Sequence, residues 1–173
     1  MKFPVFAATL AIAALPLAGQ VANPVSSALK TSLKSATSKM VAAAAEMPAD
    51  KYSFKPTPES MSFGQLVLHV ATSNQGLCRS LTGAAATPKT TLTATSPKDD
   101  LVALLKSSFE YCTTNIAGLD DSKLGSEVPY YGGRKVSQAQ LMMGLSDDWA
   151  DHYSQQAAYL RLNGLLPPTA RPR

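Results

Sequence analysis

The chain has 173 residues, of which 45 % are hydrophobic, 16 % charged and 7 % aromatic. That balance allows one domain with an apolar core and excludes disordered, fibrous and multi-module chains. Sixteen Lys and Arg against twelve Asp and Glu leave a formal charge of +4, but the basic residues are scattered and never interleave densely with aromatics, so nucleic acid is not an expected partner.

Met1 and Lys2 form a short positive start, and Phe3 to Ala18 is an apolar stretch without charge, broken by Pro16. This pattern predicts a cleavable secretory signal peptide over residues 1–22. A spanning helix needs about 20 apolar residues and seldom carries a proline near its end, so an uncleaved anchor is the weaker alternative. No cysteine follows the run to carry a lipid. Cleavage is expected between Ala18 and Asn23, with Ala22 the last residue removed, leaving about 150 residues with no stable membrane insertion. The expected location is periplasmic or secreted. In such an oxidising compartment Cys78 and Cys112 can pair; a single bridge and two small buried thiols are both compatible with the spacing, and export favours the bridge. No CxxC is present, and the two are too far apart for a zinc knuckle.

From Val25, apolar residues fall at Leu29, Leu33, Ala36, Met40, Ala43 and Met47, one stripe of a helix that Pro48 terminates. Lys30, Lys34 and Lys39 lie off the stripe as a solvated face. Residues 48–61 carry three prolines and read as an extended linker. The second helix starts at Ser62 as N-cap, runs through Phe63, Leu66, Val67, Val70, Asn74, Leu77, Cys78 and Leu81, and stops at Thr82 and Gly83. Residues 84–95 are a loop by composition. The third helix takes Ser96 as N-cap and Pro97 as its first residue, with Asp99 and Asp100 in its first turn. Its stripe is Leu101, Leu105, Ser108, Cys112, Ile116 and Leu119. Gly118, Asp120, Asp121 and then Gly125 mark its end and the start of a third linker, which contains Pro129, Tyr130, Tyr131, Gly132 and Gly133.

The fourth helix has the clearest bounds, a capping box of Ser137 and Gln140 at one end and Asn163, Gly164, Pro167 and Pro168 at the other. Its stripe is Leu141, Leu145, Asp148, His152, Gln155 or Gln156, Tyr159 and Leu162. No strand period and no internal repeat stand out, so the expected fold is all-α, an up-down four-helix bundle over residues 23–168 with a short tail at 169–173.

A bundle seam is normally apolar, yet Asp148 and His152 sit in the middle of this one, one turn apart and on one face. A buried carboxylate needs a proton, a cationic partner or a metal ion. The other histidine, His69, lies mid-helix beside Leu66, Val70 and Ser73. Two histidines and one carboxylate from two helices suit a divalent ion with positions left open for water or substrate. The alternative is an i,i+4 hydrogen-bonded Asp and His with His69 a lone core histidine. Asp147 and Asp151 read as solvated, Trp149 as core, Tyr130 and Tyr131 as an aromatic turn with a cover on the bundle mouth as the alternative, and Gln156 as a weak ligand or a polar core neighbour. Asn74 and Ser73 lie near the level of the site. No GxSxG, Gly-rich phosphate loop, HExxH or catalytic carboxylate pair appears.

Segments SFGQLVLHVATSNQGLC and DDWADHYSQQAAYLRLNGLLPP, with MPADKYSFKPTPES before them, resemble the DinB-like superfamily of four-helix metalloenzymes, over residues 25 to 168. In that family a helix-two histidine in the context L-x-H-V/I-A and a helix-four H-x-x-x-H hold a metal. His69, in LVLHVA, matches the first, and His152 the second histidine of the pair; Asp148 stands where the other would be. The resemblance therefore implies a divalent ion (zinc, nickel, iron or manganese) on His69, Asp148 and His152. It also implies a small-molecule substrate, metal-dependent thiol transfer or isomerisation, and possible homodimers. Export sits badly with cytosolic thiol cofactors, which leaves hydrolysis by activated water equally admissible. A non-catalytic bundle binding a small ligand or protein is the alternative.

Overall fold

Four helices carry the chain in the computed structural model, which describes residues 21–171: α1 (Pro24–Glu46), α2 (Phe63–Thr82), α3 (Lys98–Ile116) and α4 (Gln138–Leu162). The expected leader thus lies, but for its last two residues, outside the described residues. No described helix is long and apolar enough to cross a membrane. The stripes anticipated on α1 and α2 are buried throughout, from Leu29 to Met47 and from Phe63 to Leu81. On α4 the stripe passes through Gln156, which is fully buried, while Leu162 is exposed.

The helix ends show why the chain breaks where it does. At α2 the Ser62 hydroxyl accepts from the Gln65 N–H at 3.1 Å and the Gln65 side chain accepts from the Ser62 N–H at 2.7 Å, a complete capping box. Gly83 ends the helix in the left-handed region (φ 71°), its N–H reaching Arg79 O. At α4 only the Ser137 half of the expected box forms, from the Gln140 N–H at 3.2 Å. Pro97 caps α3 rather than opening it, because the Ser96 hydroxyl is engaged by the Thr93 N–H at 2.9 Å.

The succession of directions differs from a simple up-down bundle. Asn74 meets Ser108 and Cys78 meets Cys112, residue numbers rising together, so α2 and α3 are parallel. Lys98 reaches Ala45 O and Lys30 reaches Leu119 O, which sets α3 antiparallel to α1. His69 against His152 and Trp149 against Asn74 set α4 antiparallel to α2. The order is therefore up, down, down, up. α1 packs on α3 and α4, and α2 on the same two, leaving α1 diagonal to α2 and α3 to α4. The physical licence is linker length: residues 83–97 can extend about 50 Å, more than the ~30 Å of a 20-residue helix. Cys78 and Cys112 form a disulfide with Cα atoms 5.4 Å apart, which locks the parallel pair.

The linkers are more ordered than composition suggests. Residues 48–61 contain a 3-10 turn at Ala49–Lys51 and fold back on the bundle. Tyr52 donates its hydroxyl to Ala44 O at 2.8 Å and packs edge-on to Phe63, while its own carbonyl accepts from the Gly64 N–H. A Cβ on Gly64, in the first turn of α2, would fall 2.4 Å from Ala94 O, so only glycine lets the second linker approach the helix here. The third linker holds a small hairpin, β1 (Glu127–Pro129) antiparallel to β2 (Lys135–Ser137), with Val128 opposite Val136. Three residues per strand are too few for alternation to register in the sequence. Asp121 has a role that composition hid: its carboxylate accepts from the Val25 and Ser26 N–H groups at 2.9 and 2.8 Å and caps α1 from the far end of α3.

Candidate metal centre

α2 and α4 run antiparallel in contact, which brings the middle of one to the middle of the other. His69 and His152 meet there with near-parallel rings, centroids 4.9 Å apart and planes 21° apart. His152 is buried, with 8 % of its surface exposed, whereas His69 is exposed at the rim, not inward as its place on the helix suggested. The His152 Nδ1 lies 2.8 Å from the Asp148 backbone carbonyl and 3.7 Å from the Asp148 Oδ1. That carbonyl can only accept, so Nδ1 is the donor; in the neutral ring Nε2 then keeps its lone pair, the arrangement usual for a histidine that ligates through Nε2.

The Asp148 side chain is 24 % exposed, yet its Oδ2 is buried without a hydrogen-bond partner. Burial raises the Asp148 pKa above the ordinary carboxylate value, against the pull of His152 and His69. Desolvation, then His152, lowers the His69 pKa, while Asp148 opposes them. An unpartnered carboxylate oxygen beside two imidazoles is a donor set that suits a borderline divalent cation. As they stand, however, no three His, Cys, Asp or Glu side chains among the described residues are arranged to hold a metal ion. The donors fit a cation in kind but are not gathered around one point, and the Asp148 Oδ2 is left without a partner.

Around the centre the other candidates sort clearly. Asp147 and Asp151 are exposed, as expected, although the Asp151 Oδ2 lies 3.8 Å from His152 Nδ1 and also accepts from Gln155. Trp149 is core, and its indole N–H donates to Asn74 Oδ1 at 2.8 Å. Asn74 passes the chain on to Ser108 at 3.0 Å and Ser108 to Leu105 O at 2.7 Å, a buried polar thread behind the site. Gln156 is fully buried with both amide atoms unpaired. The sequence placed Asn74 and Gln156 on inward stripes but could not say which would find partners, since the partners come from other helices. Tyr131 comes close enough for the Asp148 charge to add to burial in holding its phenol above the ordinary pKa.

The geometry defines an all-α bundle with an imidazole pair and a carboxylate held between two antiparallel helices. The DinB superfamily model matches residues 32–155, and the chain belongs to that superfamily. Among solved structures it is similar to a DinB-like protein of Bacillus subtilis, at 23 % identity and TM-score 0.68 over 84 % of this chain and 99 % of that one. A DinB-like protein of Bacillus cereus ATCC 10987 matches at 16 % identity and TM-score 0.65, over 82 % and 95 % of the two chains. A mutant of the mycothiol-dependent maleylpyruvate isomerase matches at 17 % identity and TM-score 0.60, over 75 % of this chain and 59 % of the isomerase. At these identities the likeness is one of fold. No protein with a curated description matches the sequence.

Proposed function

We propose that this is an exported member of the superfamily that holds a divalent metal ion on His69, Asp148 and His152 and acts on a small-molecule substrate by thiol transfer, isomerisation or hydrolysis. The observation that carries the reading is the buried, unpartnered Asp148 Oδ2 beside two imidazoles. Leaving that oxygen unmet costs about 1–3 kcal/mol or more, which a cation would repay. When bound, the ion would lower the pKa of a coordinated thiol or water and so supply a nucleophile near neutral pH. The protein's share is to fix the His152 tautomer through the Asp148 carbonyl, to keep one face of the centre dry against α4, and to leave His69 open to solvent. Thiol chemistry enters through the isomerase neighbour, whose description names mycothiol. The Cys78–Cys112 bridge supports export, because structural disulfides persist in oxidising compartments.

The test is metal analysis of protein expressed with its leader and purified without chelator, alongside His152→Ala and Asp148→Asn. Near-stoichiometric metal in the parent and a loss in affinity on the order of 10-fold or more in His152→Ala is the expected result. A second reading is favoured by the lack of a closed three-residue set: a non-catalytic bundle in which Asp148 and His152 form a hydrogen-bonded pair. Equal, negligible metal in all three proteins would leave that reading in place.

A further inference from the structure

The loop that returns from α2 to α3 stands off the helix it leaves. Its start is pinned where the Tyr111 hydroxyl donates to Ala85 O at 2.8 Å and the Ala84 N–H donates to the Thr82 hydroxyl at 3.3 Å. Its far end is pinned where Leu92 packs against the core and Ala94 O approaches Gly64. Between the two pins the chain arches over the outer face of α2 and leaves a cavity of about 470 Å³, within the size range of small-molecule sites. Gly76 lies on the helix side of it. A Cβ there would meet no heavy atom within 4 Å, and its φ is not left-handed, so neither close packing nor backbone conformation calls for glycine. Glycine inside a helix is destabilising relative to alanine; what it leaves here is open room under the arch.

Two cations line the cavity, Arg79 from α2 and Lys89 from the loop, and no carboxylate does. Neither enters an ion pair among the described residues, where the paired cations are Lys51, Lys135, His152 and Arg171. Like charges on one wall repel, and an anion between them relieves the repulsion. The uncharged lining supplies donors: the Gln75 amide, and the hydroxyl of Thr90, whose oxygen already accepts from the Leu92 N–H at 3.1 Å and so has its proton to give. Ala86 and Pro88 close the loop side with hydrocarbon. We propose that this cavity binds a phosphate monoester of a small organic molecule, its phosphate between Arg79 and Lys89 and its organic part against Ala86 and Pro88. Such an ester carries a charge of about −1.5 to −2 near neutral pH and three acceptor oxygens, which matches two unpaired cations and the neutral donors around them. A carboxylate offers less charge and fewer acceptors. A guanidinium holds phosphate through two parallel hydrogen bonds, and a lysine holds it as a point charge. The site is independent of any metal on His69, Asp148 and His152.

The experiment titrates the full protein with phenyl phosphate, benzoate and inorganic phosphate by isothermal titration calorimetry at low ionic strength. Two variants accompany it: Arg79→Met, which keeps an aliphatic stem, and Gly76→Leu, which fills the room under the arch and leaves both charges. Expected are phenyl phosphate bound more tightly than either other probe, and about 10-fold or greater weakening in Arg79→Met, the worth of one hydrogen bond to a charged group. Gly76→Leu should weaken binding as well, with no fall in melting temperature. Should Gly76→Leu melt early, Arg79→Met decides alone, since it alters an exposed side chain that joins no ion pair. No binding of any probe, or equal affinity in the parent and Arg79→Met, would overturn the site. Benzoate bound as tightly as phenyl phosphate would overturn its assignment to phosphate, and inorganic phosphate bound as tightly would reduce it to an adventitious ion only.

Discussion

Opening the Cys78–Cys112 bridge is the perturbation with the largest expected effect away from the centre. The bridge closes a loop of sequence separation 34 between two parallel helices. In the chain-entropy account a loop of that length restricts the unfolded state by about 4 kcal/mol at 25 °C. Both cysteines are fully buried, so reduction adds a packing strain on top of the entropy, whereas residual structure in the reduced chain subtracts from it. With a urea slope of about 2 kcal/mol/M for a domain of this size, the unfolding midpoint should fall by roughly 2 M. Trp149, the only tryptophan, is 1 % exposed and joined through Asn74 to the neighbourhood of the bridge, which makes its fluorescence the natural reporter. Urea titrations with and without dithiothreitol, on the parent and on Cys78→Ala/Cys112→Ala, separate the terms: the double variant should be as weak as the reduced parent and indifferent to reductant. A midpoint shift under about 0.5 M would refute the loop-closure argument, and two free thiols in denatured, unreduced protein would remove its premise.

Three further outcomes follow from the polar contacts. Asn74→Ala should cost about 2–4 kcal/mol in urea unfolding, since it opens a cavity and strands the Trp149 N–H; a loss under 1 kcal/mol, measured the same way, would mean that the thread Trp149–Asn74–Ser108 is not a structural element. Gln156→Met should be neutral or stabilising by about 1 kcal/mol, because the amide it removes is buried with no partner, and a clear drop in melting temperature would show that internal water satisfies that amide. For Asp121, burial works to raise the pKa, but the N–H groups of Ser26 and Val25 outweigh it and hold the carboxyl below its usual value. Its contribution is thus present above about pH 4 and lost as pH falls through the lower, folded value. Asp121→Ala should lower the urea midpoint at pH 7, and the gap from the parent should close in acid; a gap that persists unchanged at roughly pH 2.5 would contradict the capping assignment.

The residues that anchor these predictions differ in how legible they were. Ser62, Ser137, Gly83 and Pro48 announce helix ends within a few residues of themselves, and every one acts at or beside the place expected. Asp148 and His152 could be paired from their spacing alone, because one turn of helix fixes their separation. Asp121 looked like loop punctuation, since its partners Val25 and Ser26 are some 95 residues away in sequence. Tyr131 read first as part of an aromatic turn, and only the packed chain brings it near the Asp148 charge.

Periodicity and capping act over one to four residues, and so the number of helices and most of their inward faces were already written along the chain. Direction and adjacency are of another kind. Whether α3 runs with or against α2 depends on whether residues 83–97 can span a helix length, and on which faces bury most area once all four are assembled. That assembly put α2 parallel to α3 where an up-down order was expected, brought Cys78 to Cys112, and left His69 at an open rim. Each is the outcome of packing between distant segments, where burial and hydrogen bonding are decided jointly rather than residue by residue.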